Sequence, residues 1–222
     1  MVKAMKIVSV NVGLPQAVIS NGKTVSTGIY KTPVPGQIKV GKLNLDGDGQ
    51  ADLSVHGGFN KAVYAYPSEH FEYWRREFPG LEMPWGIFGE NLTLEGLLED
   101  KAHIGDHFRM GTAVLMVTQP RLPCYKLGIR FGREDMPERF LTSRRTGFYF
   151  AVVEEGQLGE EDTLEPVFRE ATGVSIADIL RLEYDHENLN VHLIERALQV
   201  EALTPGWRKR LLKRLGEATE NG

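Results

Sequence analysis

Cysteine is scarce in this chain, whose 222 residues contain a single one, Cys124. One thiol excludes an intrachain disulfide, a structural zinc site built mainly from cysteines, and an iron–sulfur cluster held only by cysteines of one subunit. Any chemistry that Cys124 carries within one chain is therefore performed without a second thiol.

The chain also lacks a long apolar run. No stretch approaches the roughly 20 apolar residues that a membrane-spanning helix needs, and residues 1–10 contain neither a signal-peptide core nor a cleavage site. The sequence therefore predicts a cytoplasmic protein with no membrane partner.

Positive charge is not in excess, because 26 Lys and Arg stand against 30 Asp and Glu and give a net charge of -4. Broad attraction to nucleic acid requires a surplus of basic residues, so no nucleic-acid partner is expected. The apolar share of 41% is ordinary for a folded globular protein. The chain is long enough to bury a sizeable core.

The first two thirds of the chain are typical of short strands separated by turn residues. Asn21-Gly22 predicts a hairpin over residues 15–30, because both residues accept the positive φ that a tight turn needs. Further strands are predicted at residues 6–13, 62–66, 107–109, 114–117 and 147–154. This spacing favours a barrel or sandwich over alternating βα units.

After about residue 172 the pattern becomes helical. Ser175 and Asp178 resemble a capping pair, and Thr204-Pro205 is a strong helix start. The sequence therefore predicts a mainly β chain with added helices, an α+β fold. Its β domain covers residues 1–170 and is followed by a three-helix domain over residues 171–222.

A glycine pair precedes one of the predicted strands. Gly57-Gly58 allows the backbone to approach a ligand and to expose N–H groups to an anion, with His56 and Lys61 as nearby donors. The alternative interpretation is a tight turn that carries solvated side chains.

The single thiol lies in a loop stiffened by Pro120 and Pro123. The nearby cations Arg121 and Lys126 favour the thiolate, the form that binds metal or attacks electrophiles. The alternative is a buried cysteine that acts as a small apolar residue. Downstream, Arg145 follows another arginine and offers a guanidinium suited to phosphate, although such pairs are commonly solvated.

Three segments in order resemble the MOSC (molybdenum cofactor sulfurase C-terminal) family, and within it the YiiM-type proteins. They are residues 56–67, 88–93 and 119–124. The resemblance spans nearly the whole chain and implies a MOSC-type β-barrel followed by a small three-helix domain. Asn60 is a departure, because a carboxylate often stands at that position.

The resemblance implies a molybdenum cofactor, a molybdopterin, whose metal is bound by Cys124. It also implies that Cys124, Lys61 and His56 are catalytic. Cofactor contacts are expected from Cys124, His56, Gly57, Gly58, Lys61, Asn91, Arg121 and Arg145. The implied activity is two-electron reduction of N-hydroxylated compounds such as 6-N-hydroxylaminopurine, which detoxifies base analogues. A separate electron-donor protein is then required, and a homodimer is one assembly that this expectation allows.

Two other functions stay open at this point. Cys124 could carry persulfide sulfur in a cofactor-binding or sulfur-carrier module that reduces no substrate. A cysteine–histidine hydrolase is a third interpretation, but the sequence identifies no third group to orient the histidine.

Overall fold

A computed structural model describes residues 4–52, 57–185 and 189–220 of the chain. Within these residues the chain forms twelve strands and six α-helices. The strands are β1 (Lys6–Val12), β2 (Gln16–Ser20), β3 (Lys23–Thr27), β4 (Thr32–Pro33), β5 (Gln37–Val40), β6 (Val63–Pro67), β7 (Leu92–Glu95), β8 (His107–Met110), β9 (Ala113–Pro120), β10 (Phe148–Glu154), β11 (Gly156–Gly159) and β12 (Leu164–Phe168). The helices are α1 (His70–Glu77), α2 (Tyr125–Phe131), α3 (Met136–Thr142), α4 (Ile176–Tyr184), α5 (Val191–Gln199) and α6 (Pro205–Glu220).

Eight of the strands form one mixed sheet in the order β12-β8-β9-β10-β6-β7-β1-β4. The pairing of β6 with β7 is parallel, and the other pairings in this sheet are antiparallel. Within the described residues, the paired strands of this sheet do not close into a complete ring. Backbone hydrogen bonds nevertheless join β1 to the start of β12, with Ile7 N–H donating to Asp162 O and Leu164 N–H to Met5 O, each at 2.9 Å.

Local sequence accounts for several of these elements. In the β2–β3 hairpin, Asn21 and Gly22 have φ values of 48° and 72°, the positive values that this turn requires. Helix α4 begins with a complete capping box, since Ser175 accepts the Asp178 N–H and Asp178 accepts the Ser175 N–H. Both features were predicted from the sequence and are confirmed.

The helices α4–α6 pack on the sheet and share its core. One buried cluster contains Leu115 and Val117 of β9 together with Leu180, Ile194 and Leu211 of the helices. A second, aromatic cluster lies between the sheet and helices α1–α3. The helical unit α4–α6 thus buries its apolar faces against the strands.

The predicted α+β class is confirmed, with a mixed sheet followed by a small helical unit. The strands predicted at residues 6–13, 62–66, 107–109, 114–117 and 147–154 are all present, with ends that differ by a few residues. The domain boundary at residue 170 stays a prediction. No helix of the described residues is both long enough and apolar enough to cross a membrane.

Candidate functional site

A row of polar residues crosses the middle of the sheet. The strand registers pair Gln119 of β9 with Tyr149 of β10, and Tyr149 with Tyr64 of β6. Asn91, which precedes β7, continues the row because its N–H donates to the Tyr64 carbonyl at 2.7 Å. All four residues line a cavity of about 540 Å³.

Cys124 and Arg121 reach this cavity from the loop that follows β9. The Arg121 guanidinium is buried and stacks 4.8 Å from the ring centre of Tyr64 and 5.0 Å from that of Phe140. Cys124 is half-buried and lies near Arg121 and Tyr149, with which it interacts electrostatically. The loop thus places a soft sulfur beside a fixed cation.

Lys61 approaches the same cavity from a short 3-10 helix, Phe59–Lys61, that leads into β6. Gly58 precedes this helix with φ 78° and ψ 172°, a conformation that is essentially restricted to glycine. The hydroxyl of Thr118 in β9 donates to the Asn60 carbonyl at 2.7 Å and holds the helix against the sheet. Burial lowers the pKa of the Lys61 ammonium.

A buried polar network extends from Asn91 and also lines the cavity. Lys31 forms an ion pair with Asp48, whose second carboxylate oxygen accepts a hydrogen bond from the Asn91 amide at 2.9 Å. The Asn91 side-chain oxygen in turn accepts the Tyr64 N–H at 3.0 Å. Lys31, Asp48 and Asn91 are therefore held as one unit.

Glu90 lies beneath this network and is fully buried. Its carboxyl accepts hydrogen bonds from the N–H groups of Gly86 and Phe88 and from the Thr93 hydroxyl, at 2.6, 3.0 and 3.1 Å. Burial outweighs these donors and raises the pKa of Glu90 to about 7. The group is thus poised to change its charge near neutral pH.

The helical unit completes the cavity. Thr204, Trp207 and Arg210, at the start of α6, line it together with the strand residues. The Thr204 hydroxyl donates to the side-chain oxygen of Gln119 at 2.9 Å, which ties α6 to the polar row. The site is therefore built by both the sheet and the helices.

Comparison with known proteins matches both parts of the chain. The model of the MOSC domain matches residues 52–165, and that of a YiiM-like, 3-alpha helix domain matches residues 174–217. The chain belongs to the MOSC domain family. The resemblance noted in the sequence is thereby confirmed.

Several MOSC relatives extend over most of the chain. Protein YiiM of Escherichia coli is 34% identical over 190 residues, which are 85% of this chain and 84% of its own length. The crystal structure of YiiM from Geobacillus stearothermophilus is 38% identical and has a TM-score of 0.78, covering 95% of this chain and 99% of its own. A Gibberella moniliformis protein named reductase is 29% identical over 182 residues, 81% of this chain but 32% of its own length.

Most of the predicted site residues converge in this MOSC cavity. Those that line it are Gly57, Gly58, Lys61, Asn91, Arg121 and Cys124. His56 lies outside the described residues. The roles of these residues stay predictions, but their convergence is an observation.

Arg145 is absent from the described residues that line the cavity. Its guanidinium carbon lies 4.0 Å from the ring centre of Tyr73 on α1, and its Nη1 donates to the Ser143 carbonyl at 3.0 Å. The turn before β10, in which Arg144 has a φ of 58°, directs this side chain toward α1. The structure therefore separates Arg145 from the other predicted cofactor contacts.

Sequence reasoning missed the Lys31–Asp48 pair and the α6 contribution. Lys31 and Asp48 are 17 residues apart and carry no motif of their own, so only the folded chain brings them together. Trp207 belongs to the buried core. Its position at the start of α6 also brings it to the cavity.

Proposed function

We propose that this chain is a molybdenum-cofactor-dependent reductase of N-hydroxylated compounds such as 6-N-hydroxylaminopurine. The observation that carries the proposal is that Cys124, Arg121 and Lys61 line one cavity. A thiolate is a soft ligand that suits a molybdenum centre already bound by the sulfurs of its pterin. The two cations suit the phosphate of the same cofactor.

The chemistry of the donor set fits that cofactor. Cys124 supplies the thiolate, and the described side chains contain no group of three or more His, Cys, Asp or Glu that could hold a metal ion. The bound cofactor would supply the two-electron redox chemistry, with its metal attached to the protein through one thiolate. A resident protein-only metal cluster is not needed for this proposal.

The chain's own residues position the bound groups within the cavity. Arg121 and Lys61 hold an anionic group against the sheet, and the Gly57-Gly58 backbone approaches it closely. Burial raises the pKa of the Tyr64 and Tyr149 hydroxyls, so both stay protonated hydrogen-bond donors. We propose Lys61 and His56 as catalytic residues of the site, and a separate electron-donor protein as the source of electrons.

Two findings on relatives support the proposal. The name reductase belongs to the Gibberella moniliformis protein, which is far longer than this chain. Membership of the MOSC family supports the cofactor class, while the substrate class rests on the resemblance to YiiM-type proteins.

Elemental analysis tests the proposal directly. Protein expressed in cells that make the cofactor should contain close to one molybdenum per chain, and Cys124→Ala should lose it because the sulfur ligand is gone. Tyr125→Ala is the matched control, since Tyr125 is the exposed first residue of α2, directly after Cys124, and should leave the metal content unchanged.

Activity completes this test. The native protein with a chemical reductant should convert 6-N-hydroxylaminopurine to its amine, and Cys124→Ala should not. If the native protein contains no metal and carries persulfide on Cys124, the reductase proposal is overturned in favour of a sulfur carrier.

A further inference from the structure

The Lys31–Asp48 pair is more deeply buried than a surface ion pair and yet borders the cavity. The two side chains are 7% and 1% exposed, and both residues line the cavity wall. Asp48 is held further by the Gly13 N–H at 3.0 Å and by the Asn91 amide at 2.9 Å. An ammonium group is thus fixed at the wall of the proposed site.

Burying such a pair is costly, and replacing it with apolar residues is often neutral or stabilising. The pair therefore adds little to the stability of the fold, and a role of its charge in the cavity explains its presence better. Lys31 lines the cavity although only 7% of the residue is exposed. The geometry therefore fits a role in the site.

A general acid must be positioned at the reacting atom and must release its proton near the operating pH. Asp48 provides the positioning. Burial lowers the pKa of the Lys31 ammonium, and the charges of Asp48 and Glu90 oppose this effect only in part. Lys31 therefore holds its proton less tightly than an ordinary surface lysine.

We propose that Lys31 is the proton donor to the departing oxygen of the substrate, with Asp48 as its positioning residue. The inference rests on the proposed reductase function. The N–O bond of R–NHOH would break in a two-electron reduction for which the electron-donor protein supplies the electrons. The hydroxyl leaves as water after taking one proton from Lys31, and the nitrogen takes the second proton from solvent to give R–NH2.

The pH dependence follows from the groups that face Lys31. These are Asp48 and Glu90, with Lys61 and Arg121 in the same cavity. Because the protonated form of Lys31 is the acid, the rate should fall as pH rises through its pKa. Asp48→Asn removes the opposing negative charge, so the same fall should occur at lower pH.

Chemical rescue is the decisive experiment. Lys31→Ala should lower the single-turnover rate of 6-N-hydroxylaminopurine reduction by about 100-fold or more. Added methylammonium should restore part of that rate, because the small amine enters the space left beside Asp48. Lys23→Ala, at an exposed lysine of β3, should keep the native rate and show no rescue.

Two readouts do not depend on turnover. Molybdenum content should equal the native value in Lys31→Ala, and NMR titration of the labelled lysine amines should give Lys31 a pKa below the ordinary lysine value. Lys31→Arg keeps a cation beside Asp48 but holds its proton too tightly, so it should retain metal and turn over slowly.

The outcomes are distinct. Native protein without metal or reductase activity overturns the proposed function and this inference with it. An active native protein with a Lys31→Arg variant of equal rate, or with a slow Lys31→Ala variant that no amine rescues, overturns the inference alone. Amine rescue of Lys61→Ala instead of Lys31→Ala would move the donor role to Lys61.

Discussion

Glu90 is a residue whose surroundings conflict with its charge. Three donors stabilise the carboxylate, yet full burial raises its pKa from an ordinary 4.5 to about 7. Below pH 4.5 the carboxyl is neutral in both folded and unfolded chains. Between the two values only the unfolded chain ionises, so the unfolded state is progressively favoured as pH rises.

We therefore predict that Glu90 makes the protein less stable as pH rises. Relative to Glu90→Gln, the free energy of unfolding of the native protein should fall by about 3 kcal/mol between pH 4.5 and pH 7 and then level off. Urea denaturation across this range measures the difference. Glu165→Gln, at an exposed position of β12, should show no such trend, and a flat difference for Glu90→Gln would contradict the prediction.

At the scale of single residues, the sequence predicted which motif residues belong to the site. It did not predict which side chains pair with each other. The glycine pair, Lys61 and Cys124 stand in short recognisable segments, and the fold brings them to one cavity. Lys31 and Asp48 have no such local signal, since their pairing depends on how β1, β4 and the following loops are arranged. Arg145 was predicted to contact the cofactor because it follows another arginine. The sequence gave no information about the direction of its side chain, which lies against Tyr73.

Helix α6 connects the helical unit to the site through one hydrogen bond in particular. Thr204 precedes its first residue, is buried, and donates to Gln119 in the polar row. Thr204-Pro205 identified the helix start from sequence alone, and α6 begins at Pro205. The helix-start signal gave no indication that the first turn of α6 borders a cavity.

Thr204→Val removes the hydroxyl and keeps the shape of the side chain. We expect it to lower the free energy of unfolding by about 1 to 2 kcal/mol, because the Gln119 oxygen loses its buried partner. Thr24→Val, at an exposed position of β3, is the matched control. Denaturant titration measures both variants, and equal stabilities would show that the bond between α6 and β9 contributes nothing.

At the scale of the whole molecule, sheet and helices share one buried cluster. Leu115 and Val117 of β9 belong to the same cluster as Ile194 of α5 and Leu211 of α6. Binary patterning predicted a strand-rich part followed by helices, since local periodicity reports secondary structure. It could not decide whether the helices form a separate body, because packing between distant segments leaves no periodic signal.

A shared core predicts a single cooperative transition. Ile194→Ala should destabilise the chain by about 2 to 5 kcal/mol and shift the unfolding midpoints of strands and helices together. Hydrogen exchange resolved by peptide along a denaturant series measures each part. Leu212→Ala, at an exposed position of α6, should shift neither midpoint, and a shift confined to the helices in Ile194→Ala would reveal two independent units.

The hydrogen bonds between β1 and the start of β12 also determine when the edge of β1 is covered during synthesis of the chain. Residues 5–7 bond to residues 161–164 on one side, while β1 pairs with β7 on the other. Because the ribosome releases the chain from its N-terminus, the first strand waits for about 155 further residues before that edge is covered. Nascent chains that stall before residue 164 therefore carry an open edge at the N-terminal part of β1, beyond the part that β4 covers, where other unfinished chains can pair.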